Sequence, residues 1–197
     1  MISHEYRCIF IHIPRCAGTS IEYWLVGKDW WVVNSATKHL TASQARRQYA
    51  EYWDDYFKFS IVRHPEQRTF SCMKYGRHFG LQLMPDGGIS FDTYHEIFGR
   101  DIIVEFDHRF YKRSDVVQSN HEAGQIYGNV LDEPIDFTAK LENIEQDMEF
   151  VRRQLGVNNS FDLKVEVSKD RIESAPVETI SHIRKMYNRD YIKFGYQ

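Results

Sequence analysis

Residues 6–27 run Tyr6-Arg7-Cys8-Ile9-Phe10-Ile11-His12-Ile13-Pro14-Arg15-Cys16-Ala17-Gly18-Thr19-Ser20-Ile21-Glu22-Tyr23-Trp24-Leu25-Val26-Gly27, and this stretch decides the fold. Its first eight residues are mostly β-branched and aromatic, and Pro14 stops them, the pattern of a buried strand entering a turn. Ile21, Trp24 and Leu25 then recur at the spacing of a helix face, with Thr19 or Ser20 expected at its start and Gly27 at its end.

The same order returns downstream. Phe57–Val62 is a strand candidate that runs into Arg63-His64-Pro65, and proline at the first helical position opens a helix carrying Phe70, Met73 and Tyr75. Two strand–turn–helix units in succession predict an α/β fold with a mostly parallel sheet. Between them, Trp30–Val33 is expected as a strand, and Thr41 is expected to cap a helix reaching about Trp53. Later, Ile135–Leu141 predicts a strand. Ile144, Met148, Val151 and Leu155 mark a helix over Glu142–Leu155 closed by Gly156, and a last helix is expected over Val177–Tyr191. Residues 84–134 show weak periodicity apart from helical patches at Phe91–Phe98 and Asp115–Ala123. They are expected to carry acceptor specificity, with Met84–Gly88 and the stretch to Tyr111 forming either a lid or a subunit contact.

With 197 residues, 42% of them hydrophobic, the chain has the length and apolar content of one domain, 1–197. A net charge of −3 gives no basic field to recruit nucleic acid. Cys8, Cys16 and Cys72 are odd in number and lack the paired spacing of a zinc site or a disulfide framework, so they are expected to be reduced. The opening apolar run is too short for a signal peptide core or a transmembrane segment, and the location expected from it is cytoplasmic.

The turn Pro14-Arg15-Cys16-Ala17-Gly18-Thr19-Ser20 has the composition of an anion cradle: backbone N–H groups at a helix start, two hydroxyls and one full cation. A nucleotide triphosphatase would place glycine near Pro14 and lysine before Thr19, and neither is present. No acidic residue ends the second expected strand to hold magnesium, so a P-loop kinase is disfavoured.

Taken together, the turn and the segment Val62-Arg63-His64-Pro65 with Arg68 and Ser71 resemble the sulfotransferases that use 3′-phosphoadenosine 5′-phosphosulfate (PAPS). The likeness is to the branch containing carbohydrate O-sulfotransferases and their small bacterial relatives. Those enzymes pair an IPK-T-x-G-T-S-like loop with a V-R-[ND]-P…R…S element. Lys38-His39-Leu40-Thr41-Ala42, Trp53–Phe59, Asp136-Phe137, Leu141-Glu142-Asn143 and Phe194-Gly195-Tyr196 extend the resemblance in the same order.

The resemblance implies a P-loop-like three-layer fold, a central mostly parallel sheet flanked by helices. It implies that Pro14, Arg15, Cys16, Ala17, Gly18, Thr19 and Ser20 bind the 5′-phosphosulfate and that Arg63 and Ser71 bind the 3′-phosphate, with no metal required. Arg15 would also act catalytically on the leaving phosphate. His39 is the expected general base, with His12 and His64 as rivals, because neutral imidazole titrates near pH 7 and the family carries a base at this point in the chain. The acceptor would be a hydroxyl of a carbohydrate, in a glycan or glycolipid.

Two positions depart from the family pattern, Arg15 for lysine and Cys16 for threonine. They leave open the alternative of a nucleotide- or anion-binding protein that has lost turnover. Arg68 is expected to brace the fold. Lys58, Lys74, Arg77 and His78 are candidates to meet an anionic acceptor, and Trp30, Trp31, Tyr75 and Tyr94 are candidates to stack on sugar or adenine, against the commoner reading of solvated charge and packed core.

Overall fold

The computed structural model describes residues 1–76, 124–162 and 177–197; the side chains of 73–76 and 178 fall outside it. The patches at 91–98 and 115–123, the segment 84–111, and Arg77, His78 and Tyr94 lie outside the described residues, as do the side chains of Lys74 and Tyr75.

The described strands form one four-stranded sheet in the order β1-β2-β3-β4, comprising Ile2–Ser3 (β1), Cys8–Ile11 (β2), Phe57–Val62 (β3) and Phe137–Lys140 (β4). β1 runs antiparallel to β2, while β2 with β3 and β3 with β4 are parallel. This is the mixed, mostly parallel sheet with helices that the alternation of strands and helices predicts. Every residue of β2 is buried and β3 is buried from Lys58 onward, as expected of inner strands with continuous apolar runs. The Ser60 hydroxyl donates to the Ile11 carbonyl at 2.7 Å, so the one hydroxyl in this buried stretch is paired.

The helices are Gly18–Val26 (α1), Trp30–Asn34 (α2), Ala42–Gln48 (α3), Ala50–Trp53 (α4), Pro65–Gly76 (α5), Tyr127–Val130 (α6), Ile144–Leu155 (α7), Val177–Met186 (α8) and Asn188–Phe194 (α9). Three end as glycine predicts, with Gly27, Gly156 and Gly195 left-handed at the C-caps of α1, α7 and α9. Thr41 caps α3 through a complete capping box with Gln44.

Trp30–Val33 is a helix rather than the expected strand. The Asp29 side chain accepts from the Trp31 N–H at 2.7 Å, and the Trp30 N–H donates to Glu22 Oε2 at 2.9 Å. Those two bonds fix a helix start and override the β propensity of Trp-Trp-Val-Val. The expected helices to Trp53 and Tyr191 each divide in two, at Tyr49 (φ −119°, ψ 33°) and Tyr187 (φ −115°, ψ 15°). Both tyrosines are buried, and Tyr187 accepts from Arg68 through its hydroxyl, so packing sets these breaks.

The chain forms two compact units, residues 1–63 with 129–167, and residues 64–128 with 168–197. The first holds the sheet, α1–α4 and α7. In the second, fully buried Arg68 donates to the Tyr187 hydroxyl at 2.8 Å and lies over the Tyr127 ring, the bracing role expected of it. Buried Asp190 accepts the backbone N–H groups of Ile126, Tyr127 and Gly128 at 2.6, 2.9 and 2.9 Å, which satisfies the start of α6.

Candidate functional site

The turn after β2 takes an unusual backbone path. Arg15 (φ 66°) and Ala17 (φ 61°) are both left-handed although neither is glycine, a conformation costing about 1–2 kcal/mol per residue. Left-handed residues at alternate positions before a helix turn successive N–H groups toward one side, the geometry of an anion-binding nest. Thr19 and Ser20 stand in the first turn of α1, as expected; its N-cap is Ala17, which offers no side-chain acceptor. No acidic residue stands in the first turn of α1 either, so no carboxylate of that turn offsets the positive end of the helix dipole. Arg15, Ala17 and Thr19 are half-buried, while Pro14, Cys16, Gly18 and Ser20 are buried.

Sheet register brings the second motif to the same edge. Ile11 pairs with Ser60 in parallel, so Pro14 and Arg63 each lie three residues beyond a paired position, past the carboxyl ends of neighbouring strands. That edge of a parallel sheet is where ligands of α/β proteins bind. Arg63 is half-buried there.

His39 joins this edge through a hydrogen bond. Its Nδ1 lies 3.1 Å from the His12 carbonyl oxygen. A carbonyl can only accept, so Nδ1 carries the proton and the neutral ring has its lone pair on Nε2. The His12 and His39 ring centroids are 4.5 Å apart, and the Trp31 ring meets His39 edge-on at 5.7 Å. Burial, with His12 adjoining, holds the His39 imidazole well below its usual value, so the ring is neutral at pH 7.

Behind the turn lies a cluster the sequence reading did not identify. Glu22 is fully buried, with Oε1 2.6 Å from His12 Nδ1, and Oε2 accepts from the Trp30 N–H at 2.9 Å and from Lys38 Nζ at 2.7 Å. Lys38 also donates to Asp29 Oδ1 at 2.6 Å. Burial pushes the Glu22 carboxyl up, but its bonds to His12, Lys38 and Trp30 prevail and hold it at about 2. The His12 imidazole is lowered by burial against the opposing pull of Glu22. A Cβ on Gly18 would fall 2.1 Å from His12 Cδ2 and Nε2, so residue 18 must be glycine for the ring to sit there. One signal in the sequence pointed to this cluster: Glu22 shares a helix face with Gly18, Ile21 and Leu25, where an apolar residue is the ordinary choice.

Ser71 is buried on α5 in the second unit, among Arg68, Thr69, Phe70 and Cys72. His64 belongs to that unit too, with Nε2 3.3 Å from the Gln197 oxygen and its ring against Tyr191 and Tyr196. Lys58 does not face an acceptor: it is buried, and its Nζ donates to the Trp53 and Tyr56 carbonyls and pairs with Asp136 at 2.9 Å. Trp30 is buried with its indole N–H on Thr37, which removes it as a stacking surface, whereas Trp31 is 45% exposed. Among the described residues, no helix is long and apolar enough to cross a membrane. No protein-family model matches the chain, and neither a curated protein nor a solved structure shows significant similarity to it.

Proposed function

We propose that the chain is a PAPS-dependent O-sulfotransferase with a P-loop-like fold, moving a sulfuryl group to a hydroxyl of a carbohydrate acceptor. What carries this reading is one juxtaposition: an uncapped, nest-forming turn, an arginine just past the adjacent parallel strand, and a neutral imidazole bonded to the residue that leads from β2 into the turn. Phosphosulfate chemistry uses all three. The acceptor oxygen attacks sulfur as its proton passes to His39 Nε2, and the bond from sulfur to the 5′-phosphate oxygen breaks, leaving adenosine 3′,5′-bisphosphate. Backbone amides of Cys16 to Thr19 and the Arg15 guanidinium meet the charge that grows on the leaving phosphate, while the Ser20 N–H donates to the Ala17 carbonyl within the turn. Arg63, with its planar fork of donors, grips the 3′-phosphate.

The test is calorimetric titration of the protein with adenosine 3′,5′-bisphosphate in the absence of metal, with magnesium ATP and 5′-AMP as comparisons. Binding that depends on the 3′-phosphate is the expected result. Absence of binding, or preference for magnesium ATP, overturns the reading.

A further inference from the structure

We propose that Glu22 is the positioning residue of this site, one buried carboxylate that fixes both imidazoles behind the anion-binding turn. The proposal rests on the sulfuryl-transfer reading for its functional meaning, but its geometry stands apart from any ligand. Three groups converge on Glu22 from three places in the chain: the His12 ring just past β2, the Trp30 N–H that opens α2, and the Lys38 ammonium next to His39. Glu22 itself sits on α1, the helix that begins at the turn. Withdrawing it loosens the turn's helix, the ring packed against Gly18 and the residue beside the base together.

The bonding pattern also sets a proton. Ionised Glu22 can only accept, so His12 Nδ1 donates to it and the neutral His12 ring holds its lone pair on Nε2, the atom that lies against Gly18. His39 packs against that ring at a tilt of 57° and bonds the carbonyl of the same residue, so its orientation depends on where His12 is held. A carboxylate holding an imidazole in one tautomer is a known way to prepare a site for proton transfer. Here the held ring braces the turn and the second ring takes the proton.

Glu22→Gln separates this role from space filling, because the amide has the same size but only one accepting edge. Trp30 N–H and Lys38 Nζ both require an oxygen, so the amide nitrogen faces His12 and donates to Nδ1, driving the His12 proton to Nε2. The experiment is long-range proton–nitrogen NMR of the histidine rings at pH 7.5 in wild-type and E22Q protein. His12 and His39 signals are assigned by their loss in H12Q and H39Q, and adenosine 3′,5′-bisphosphate is titrated into the same samples. In wild type, both rings are expected as single Nδ1–H tautomers. In E22Q, the His12 Nδ1–H signal is lost in favour of Nε2–H, and His39 becomes a mixture of tautomers.

An Nε2–H tautomer for wild-type His12 overturns the proposal without recourse to any variant, which covers the case of E22Q failing to fold. Unchanged tautomers in folded E22Q that still binds the bisphosphate overturn the positioning role and leave the proposed function standing. Wild-type protein that does not bind the bisphosphate overturns that function and the positioning role with it, whatever the tautomers are.

Discussion

Gly18→Ala tests the packing of the turn on His12. The added Cβ would stand 2.1 Å from two atoms of the His12 ring and 2.6 Å from a third, where a packed carbon contact needs roughly 3.5 Å or more, so ring and turn must separate by more than 1 Å. The ring has little room to yield, with Nδ1 held 2.6 Å from Glu22 and the tilted rings of His39 and Phe10 at centroid distances of 4.5 and 5.6 Å. Overpacking of this kind costs about 1–3 kcal/mol, and a pinned ring puts the site toward the upper end. Alanine returns up to about 1 kcal/mol through its better helix propensity. The net expectation is about 1–2 kcal/mol of lost stability, read by urea unfolding or as a Tm lower by roughly 2–8 °C for a chain of this size. The decisive assay repeats the change in a His12→Ala background. With the ring gone, G18A becomes neutral or stabilising, a coupling of about 1–3 kcal/mol. Equal cost in the two backgrounds refutes the argument that His12 is what makes residue 18 a glycine.

Arg63→Ala removes a charged, two-pronged contact and is expected to weaken adenosine 3′,5′-bisphosphate by about 1.5–3 kcal/mol, roughly 10- to 150-fold, in calorimetric titration; unchanged affinity rejects the 3′-phosphate role. The pH dependence of stability has a defined sign, because burial lowers the imidazoles of both His12 and His39 in the folded protein. The unfolded chain then binds protons first, so stability is full above the ordinary imidazole value near 6.5 and drains away as pH falls toward the depressed folded values. Glu22, held at about 2 instead of 4.5, adds a second loss between those two values. Urea midpoints from pH 8 to 3 check both; a midpoint that rises as pH falls from 7 to 5 contradicts the histidine loss, and one that rises as pH falls from 4.5 to 3 contradicts the Glu22 loss. Asp190→Asn keeps one accepting oxygen of two; with that oxygen on Ile126 and Tyr127, the amide of Gly128 alone loses protection from hydrogen exchange, whereas Asp190→Ala strips all three and costs about 3 kcal/mol or more.

The strands and turns that place the site were legible because their signals are local. Tyr6–Ile13 and Phe57–Val62 are apolar runs stopped by proline or by Arg63-His64-Pro65, and parallel pairing then carries Pro14 and Arg63 to one edge without further information. Trp30–Val33 misled because its β propensity is a weak average over contexts, whereas the bonds from Asp29 and Glu22 are specific to this one. The breaks at Tyr49 and Tyr187 carry no glycine or proline, and what decides the second is a hydroxyl meeting Arg68 119 residues away in sequence. His12 with Glu22 escaped for a different reason. Ten residues separate them, but the bond exists only because left-handed Arg15 and Ala17 fold α1 back onto the end of β2.

The buried ions themselves argue for a role beyond stability. Glu22 and Lys38 are almost wholly removed from water, and taking two charges from water commonly costs as much as their attraction returns. Three apolar side chains of similar volume in place of His12, Glu22 and Lys38 would fold at least as well by that arithmetic. They would impose no direction, since apolar contacts tolerate rotation and a carboxylate with three donors does not. The interior is polar directly behind the turn and beside His39, where the proposed chemistry depends on how a ring is oriented. The left-handed Arg15 and Ala17 agree with this, for strain of about 1–2 kcal/mol at each is stability given up at the same spot. A chain that needed only a stable α/β core would have put glycine at 15 and 17 and leucine at 22.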